Sequence, residues 1–262
     1  MKAALRRLFV RPIARRAAPL LRGVGLGGRP RYPRYPGSEE AVLDGLVAYN
    51  ENGGYFVPYS SRHRPVAQRI LAGRVHDEVT LALIAERCGT GDVVHAGTYF
   101  GDFLPALSKV CRGTVWAFEP NPENHRCATI TLAINGLTNV HLQHAGLGEA
   151  AGSLHLRVRD RTGRSLGGGS RFVQGAHTGT VEVAVVRIDD VVPEDREVSV
   201  IQLDVEGFEG PALMGARNTI RRCKPVLILE DVPSADLLPE EVTALGYEVM
   251  ARCGRNTAYG VP

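Results

Sequence analysis

The chain has 262 residues with 44% hydrophobic and 23% charged residues, which fits one large folded domain with additions or two small ones. The net charge of +3 conceals an uneven distribution. Ten of the 31 Lys and Arg residues lie between Met1 and Pro36, no acid precedes Glu39, and the rest is slightly acidic. Five scattered cysteines without a CxxC pair support neither a zinc site nor a disulfide framework, and no apolar run is long enough to span a membrane. A reducing, cytoplasmic setting is expected.

Residues 1–36 read as a basic, poorly ordered tail. Leu5, Leu8, Phe9 and Ile13 could line a short basic helix that rests on anionic lipid, while Pro12 and Pro19 limit its length. Arginines interrupt every candidate signal-peptide core. Residues 37–88 read as a helical extension. One helix is predicted over 39–50 with Val42, Leu43, Leu46 and Val47 inward. An aromatic and polar stretch follows, then a second helix over 76–88 capped by Asp77.

From residue 89 onward strands and helices alternate, as in a mostly parallel sheet with helices on both faces. Strands are predicted at 114–118, 140–144, 198–203, 225–229 and 247–252. Helices are predicted at 123–134, 208–222 and 237–245. Residues 153–159 and 180–188 alternate as an inserted antiparallel hairpin would, around a glycine-rich loop at 161–178 that reads either as a lid or as a plain flexible connection.

The organising stretch is Asp92–Asp102, DVVHAGTYFGD. It reads as a buried strand, a Gly97–Gly101 turn and a helix start, which together aim backbone N–H groups at a ligand above the strand end. Acids stand just past three strands: Glu119, Asp204 with Glu206, and Glu230 with Asp231. In a parallel sheet these ends share one edge, so the acids are expected to converge. Glu119 falls about twenty residues after the turn, where a carboxylate accepts hydrogen bonds from ribose hydroxyls. Bulky Tyr99 and Phe100 within the turn fit a nucleoside with an amino-acid tail better than a dinucleotide. Asp204 or Glu206 could take a proton from an acceptor hydroxyl, or the two could share a divalent cation. Glu209 reads as a cap on the helix that follows. The histidines His63, His125, His141 and His144 read as structural, His144 being the first of them to consider as a base.

The segments VVHAGTYFGDFLPALS, VWAFEPNPEN, IQLDVEGFEGPALMGARNTI and PVLILED resemble the FkbM family of S-adenosylmethionine-dependent methyltransferases over roughly residues 86–231. The resemblance implies a Rossmann-like methyltransferase domain over 89–262 and O-methylation of a sugar, glycan or polyketide-like hydroxyl. It also implies S-adenosyl-L-methionine as cofactor. The cofactor would lie against His95, Gly97, Thr98, Gly101, Glu119, Pro120, Asn121, Leu147 and Gly148, with Asp204 and Glu206 at the reaction centre. His95 stands where the family usually carries an acid, and Tyr99 replaces a smaller polar residue. A nicotinamide-dependent oxidoreductase and a non-catalytic membrane-surface module are the alternatives. Nucleic acid is not an expected partner, because the basic residues lack an aromatic reading surface.

Overall fold

The computed structural model describes residues 43–262. The expectations for the basic tail, and for the start of the helix predicted at residue 39, lie outside these residues. Where that helix was expected to continue, the chain forms β1 (Gly45–Asn50), antiparallel to β2 (Gly53–Pro58). The extension is therefore a hairpin followed by two helices. Turn chemistry overrides the helical spacing of Leu46 and Val47: Asn50 Oδ1 accepts from Asn52 N at 2.8 Å, and glycines follow at Gly53 and Gly54. Leu46 and Val47 lie exposed, whereas Tyr55 and Val57 of β2 are fully buried.

Helix α1 (Pro65–Leu71) was not legible in the sequence, whereas α2 (Glu78–Arg87) begins as expected, with the Asp77 side chain accepting from Thr80 N. The glycine turn joins β3 (Asp92–Ala96) to α3 (Leu104–Val110). Next come β4 (Val115–Phe118), α4 (Pro122–Asn135) and β5 (Val140–Gln143). Helix α4 is capped by Asn121, which accepts from the N–H groups of Glu123 and Asn124, and closes on Gly136 in the left-handed region.

The insertion comprises β6 (Gly146–Leu147), β7 (Gly152–Arg157), β8 (Arg171–Val173) and β9 (Thr180–Val186), a small sheet in the order β6-β9-β7-β8. The expected pairing of β7 with β9 is present, and β8 arises from the glycine-rich loop. After the short α5 (Ile188–Val191) come β10 (Val198–Leu203), α6 (Glu209–Met214), α7 (Arg217–Cys223) and β11 (Val226–Glu230). The single helix predicted at 208–222 is thus two, broken at Gly215, where a Cβ would lie 2.0 Å from the Gly148 carbonyl oxygen. The chain ends with α8 (Glu240–Thr243), β12 (Glu248–Cys253) and β13 (Asn256–Gly260). Strand β13 was not predicted.

The main sheet has the order β12-β13-β11-β10-β3-β4-β5, and every strand but β13 runs the same way. Its order reverses between β3 and β10, the topological switch point at which open α/β sheets leave a crevice. One apolar layer packs Leu213, Ile220 and Val242 on one face, and another packs Ile84, Leu104 and Leu107 on the other. The hairpin docks on α4 through side chains that substitute for a neighbouring strand. Asn135 bonds the Gly54 N–H and carbonyl at 2.9 and 2.7 Å, and Thr131 Oγ1 accepts from Phe56 N at 3.0 Å. Thr131 Oγ1 also donates to Phe100 O at 2.8 Å, tying the hairpin to the glycine turn.

Candidate active site

At the switch point Asp204 N donates to Ala96 O at 3.1 Å, so the chain leaves β10 directly beside Gly97. Gly97 has φ +86°, and a Cβ there would stand 1.9 Å from the Asp204 carbonyl oxygen. Two backbones approach here as closely as only glycine permits. Gly101, also at φ +86°, serves a different purpose: a Cβ there would crowd Thr131 and Leu104, so this glycine seats the turn on α3 and α4.

Tyr99 occupies the turn at φ +53°, a conformation that costs a non-glycine residue about 1 kcal/mol. Its N–H donates to Glu119 Oε2 at 2.6 Å, and its ring is buried against Phe100 at 4.5 Å between centroids. The glycine-rich loop lies over that ring. A Cβ on Gly167 would sit 2.8 Å from the Tyr99 hydroxyl, and one on Gly168 3.3 Å from the ring. The glycines that read as a source of flexibility therefore fit the loop to a tyrosine where a smaller residue was expected.

Glu119 is buried and also accepts from Asn121 N at 2.8 Å and Asn124 Nδ2 at 3.4 Å. Burial outweighs these donors and pushes its carboxyl up to about 8. Glu119, Pro120 and Leu147 line a small cavity of about 30 Å³ together with Gly168, Ser170 and Phe172. The loop that bears the last three is pinned: Asn124 Nδ2 donates to Gly167 O at 3.1 Å, and Asn121 Nδ2 to Ser170 Oγ at 2.9 Å. Asn121 thus spends its side chain on the helix cap and the loop. Gly148 packs toward Val185 and Gly215 and does not line this cavity. Thr98 is fully buried, with its hydroxyl unpartnered among the described residues.

On the other side of Gly97 a cleft of about 660 Å³ opens, sharing Gly97, Gly168 and Asp204 with the small cavity. Asp204, Glu206 and Glu230 bring carboxylate oxygens within 4.8 Å of one another at its edge. Burial, then Glu230 and Glu206, raise the Asp204 carboxyl well above the usual range. Burial and Glu230 also raise Glu206, whose backbone is held at φ +54°. Arg255 Nη1 meets Glu230 Oε1 at 2.8 Å and gives the trio one positive charge. This spacing could hold a divalent cation. Glu209 turns away from the cleft and accepts from Val205 N and Gly207 N, so its side chain closes the turn before α6 rather than capping the helix as expected.

His95 is buried on β3, stacked on Phe103 with centroids 5.4 Å apart. Its Nδ1 donates to Gln202 Oε1, and burial drives its pKa down to about 4, so the ring is neutral. The sequence reading missed His76, Asp102, Gln202 and Asn256, all of which line the cleft. Asp102 immediately follows Gly101, a signal that was in view, whereas Asn256 belongs to the unpredicted strand β13. His144, read as structural, is exposed, stacks on His125 at 4.6 Å and bonds Pro120 O at 3.1 Å, outside the cleft. Glu119 and Asp204 border the same small cavity, while Asp231 turns outward to Arg255.

A family model described as the methyltransferase FkbM domain matches residues 95–249. No curated protein matches the chain. A methyltransferase FkbM from Methylobacillus flagellatus KT is similar at 23% identity, over 65% of this chain and 43% of that one, with a TM-score of 0.45. The chain thus spans less than half the length of that relative. An rRNA methylase from Streptococcus thermophilus is similar at 13% identity over 70% and 95% of the two chains, TM-score 0.42. A Pyrococcus abyssi tRNA (uracil-54, C5)-methyltransferase in complex with S-adenosyl-L-homocysteine is similar at 11% identity over 82% and 43%, TM-score 0.42.

Proposed function

Because the chain belongs to the FkbM methyltransferase family, we propose that it moves the methyl group of S-adenosylmethionine to a hydroxyl of a sugar, glycan or polyketide-like small molecule. The observation that carries this reading is the close approach of Gly97 to Asp204 at the switch point, with Glu119 one strand away. The residues fit the cofactor. Glu119 would hold the ribose hydroxyls, Leu147 would face the adenine, and the methionine end would lie over Gly97 toward the larger cleft. The orphaned Thr98 hydroxyl stands ready to hydrogen-bond at that end. The small cavity is too tight for a nucleoside, so Gly168, Ser170 and Phe172 must draw back to admit one.

When bound, the cofactor supplies an already activated methyl group. The protein's task is then to align the acceptor and to remove its proton. A nicotinamide dinucleotide is disfavoured, because Tyr99 and Phe100 fill the turn that a pyrophosphate would need to approach. The basic stretch 1–36 would add peripheral contact with anionic lipid at the inner face of the membrane. Among the described residues, no helix is long and apolar enough to cross one. Flotation of the full chain and of a chain lacking residues 1–36 with anionic vesicles tests that contact, and equal recovery would dismiss it.

Titration with S-adenosylhomocysteine tests the enzyme reading. Saturable binding that Glu119→Ala weakens at least about tenfold supports it, for the loss of a buried hydrogen-bonding carboxyl. Absence of binding by the folded wild-type protein would end it.

A further inference from the structure

Four side chains that line the large cleft carry buried polar atoms with no partner among the described residues: the Tyr99 hydroxyl, under the glycine-rich loop, and His76 Nδ1, His95 Nε2 and Asn256 Oδ1, grouped about Phe103 and β13. Native proteins seldom leave such atoms unpaired without a ligand, water or catalytic reason. What each atom offers follows from its neighbours. Asn256 Nδ2 donates to Asp77 Oδ2 at 3.0 Å and to Thr80 Oγ1 at 3.2 Å. A carboxylate accepts only, so the amide orientation is fixed and the free atom is the oxygen, an acceptor. His95 donates from Nδ1 to Gln202 Oε1, which leaves Nε2 as a bare lone pair on a neutral ring.

Asp102 joins this wall one residue past the glycine turn. It is 9% exposed and, among the described residues, forms no ion pair and no side-chain hydrogen bond. Phe103 holds the two imidazoles in place, with His95 stacked on its ring and His76 at 6.4 Å. The wall therefore presents Asp102, His95 and Asn256 as acceptors in search of donors, on the side of Gly97 away from Glu119.

We propose that this wall is the acceptor subsite, that it binds a group presenting several hydroxyl donors, and that Asp102 takes the proton of the hydroxyl to be methylated. The assignment rests on the methyltransferase reading above and moves the base away from Asp204 and Glu206. Those two are crowded with Glu230, and burial and like charge favour the protonated form of Asp204. Asp102 has no carboxylate crowded onto it in this way, and its pKa of about 6 leaves it ionised at neutral pH. In the step, the acceptor oxygen forms the new C–O bond as the bond between methyl and sulfur breaks. The electron pair stays on sulfur, and the hydroxyl proton passes to Asp102.

The test uses the full chain labelled with 15N-histidine, with and without S-adenosylhomocysteine. The probes are methyl glycosides of glucose, mannose and rhamnose, with their fully O-methylated counterparts as controls that lack hydroxyl donors. At least one free glycoside is expected to shift His95 Nε2 and His76 Nδ1 saturably, and the O-methylated controls are not. Asp102→Asn and His76→Gln should each weaken that glycoside at least about fivefold. Both should leave affinity for S-adenosylhomocysteine within about twofold, which also reports that they fold. With S-adenosylmethionine and the bound glycoside, Asp102→Asn should lower turnover by about 100-fold, the scale of a lost general base. The proposal is overturned if no free glycoside moves either histidine, if the O-methylated controls shift them equally, or if both variants bind glycoside as wild type does. Failure of wild type to bind S-adenosylhomocysteine would instead refute the cofactor reading, and the cofactor-free titration would still report on the subsite.

Discussion

At the scale of single residues, two positions decide whether the site can exist. Gly97→Ala should abolish S-adenosylhomocysteine binding, a loss of at least about 100-fold or 2.7 kcal/mol, because the new Cβ would meet the Asp204 backbone at 1.9 Å, where no side chain can give way. Glu119 makes a distinct pH prediction. Its folded pKa of about 8 lies above its unfolded value, so the native state holds the extra proton and loses stability as pH rises between those two values. Thermal melts between pH 6.5 and 8 should therefore fall for the wild type and fall less for Glu119→Gln. Equal slopes would mean that Glu119 is ionised throughout. His95 and His125, which burial lowers to about 4, act below that window. The residues that border the cofactor half of the site were legible because each follows a strand end or a glycine. His76 and Asn256 were not, because they reach the cleft from a loop and from a strand with no sequence signature.

At the scale of elements, the glycine-rich loop and β2 hold most of the surprises. Local spacing favoured a helix over 39–50; the Asn50–Gly54 turn overrides it, and the hairpin is then held through β2 by the Asn135 and Thr131 side chains of α4, which no local pattern contains. The loop over Tyr99 is pinned by Ser170, whose hydroxyl accepts from Asn121 and donates to Gly167 O at 2.8 Å. Ser170→Ala should loosen that closure by about 1 kcal/mol and speed S-adenosylhomocysteine association about fivefold in stopped-flow mixing. An unchanged association rate would mean that the loop does not gate the small cavity. Asn121→Ala removes the same pin and the α4 cap as well, so it should also cost about 1 kcal/mol of folding stability.

At the scale of the whole molecule, the sheet order delivers the site. Alternation predicted parallel strands, and the convergence of their acids followed from topology, yet only the observed reversal between β3 and β10 explains why Gly97 and Asp204 touch. The opposite end of the sheet is held by Asp92, which accepts two bonds from Arg196 at 2.6 and 2.8 Å and one from Trp116 Nε1 at 2.8 Å. Burial alone would raise its pKa, but these donors and Thr114 N hold it below the usual range. The stability it contributes is present above its unfolded pKa and lost as pH falls through its folded value. Asp92→Asn should destabilise the fold by about 3 kcal/mol in urea at pH 7 and leave cofactor affinity unchanged, because this anchor lies far from the strand ends that form the cleft.

The most direct measurement is calorimetric titration of S-adenosylhomocysteine into the wild-type chain and into Gly97→Ala, with folding of both verified by circular dichroism. One site per chain in the wild type and no heat of binding in the variant is the predicted result. Equal binding by the two, or none by a folded wild type, would contradict a nucleoside-sulfonium site at the β3–β10 switch point.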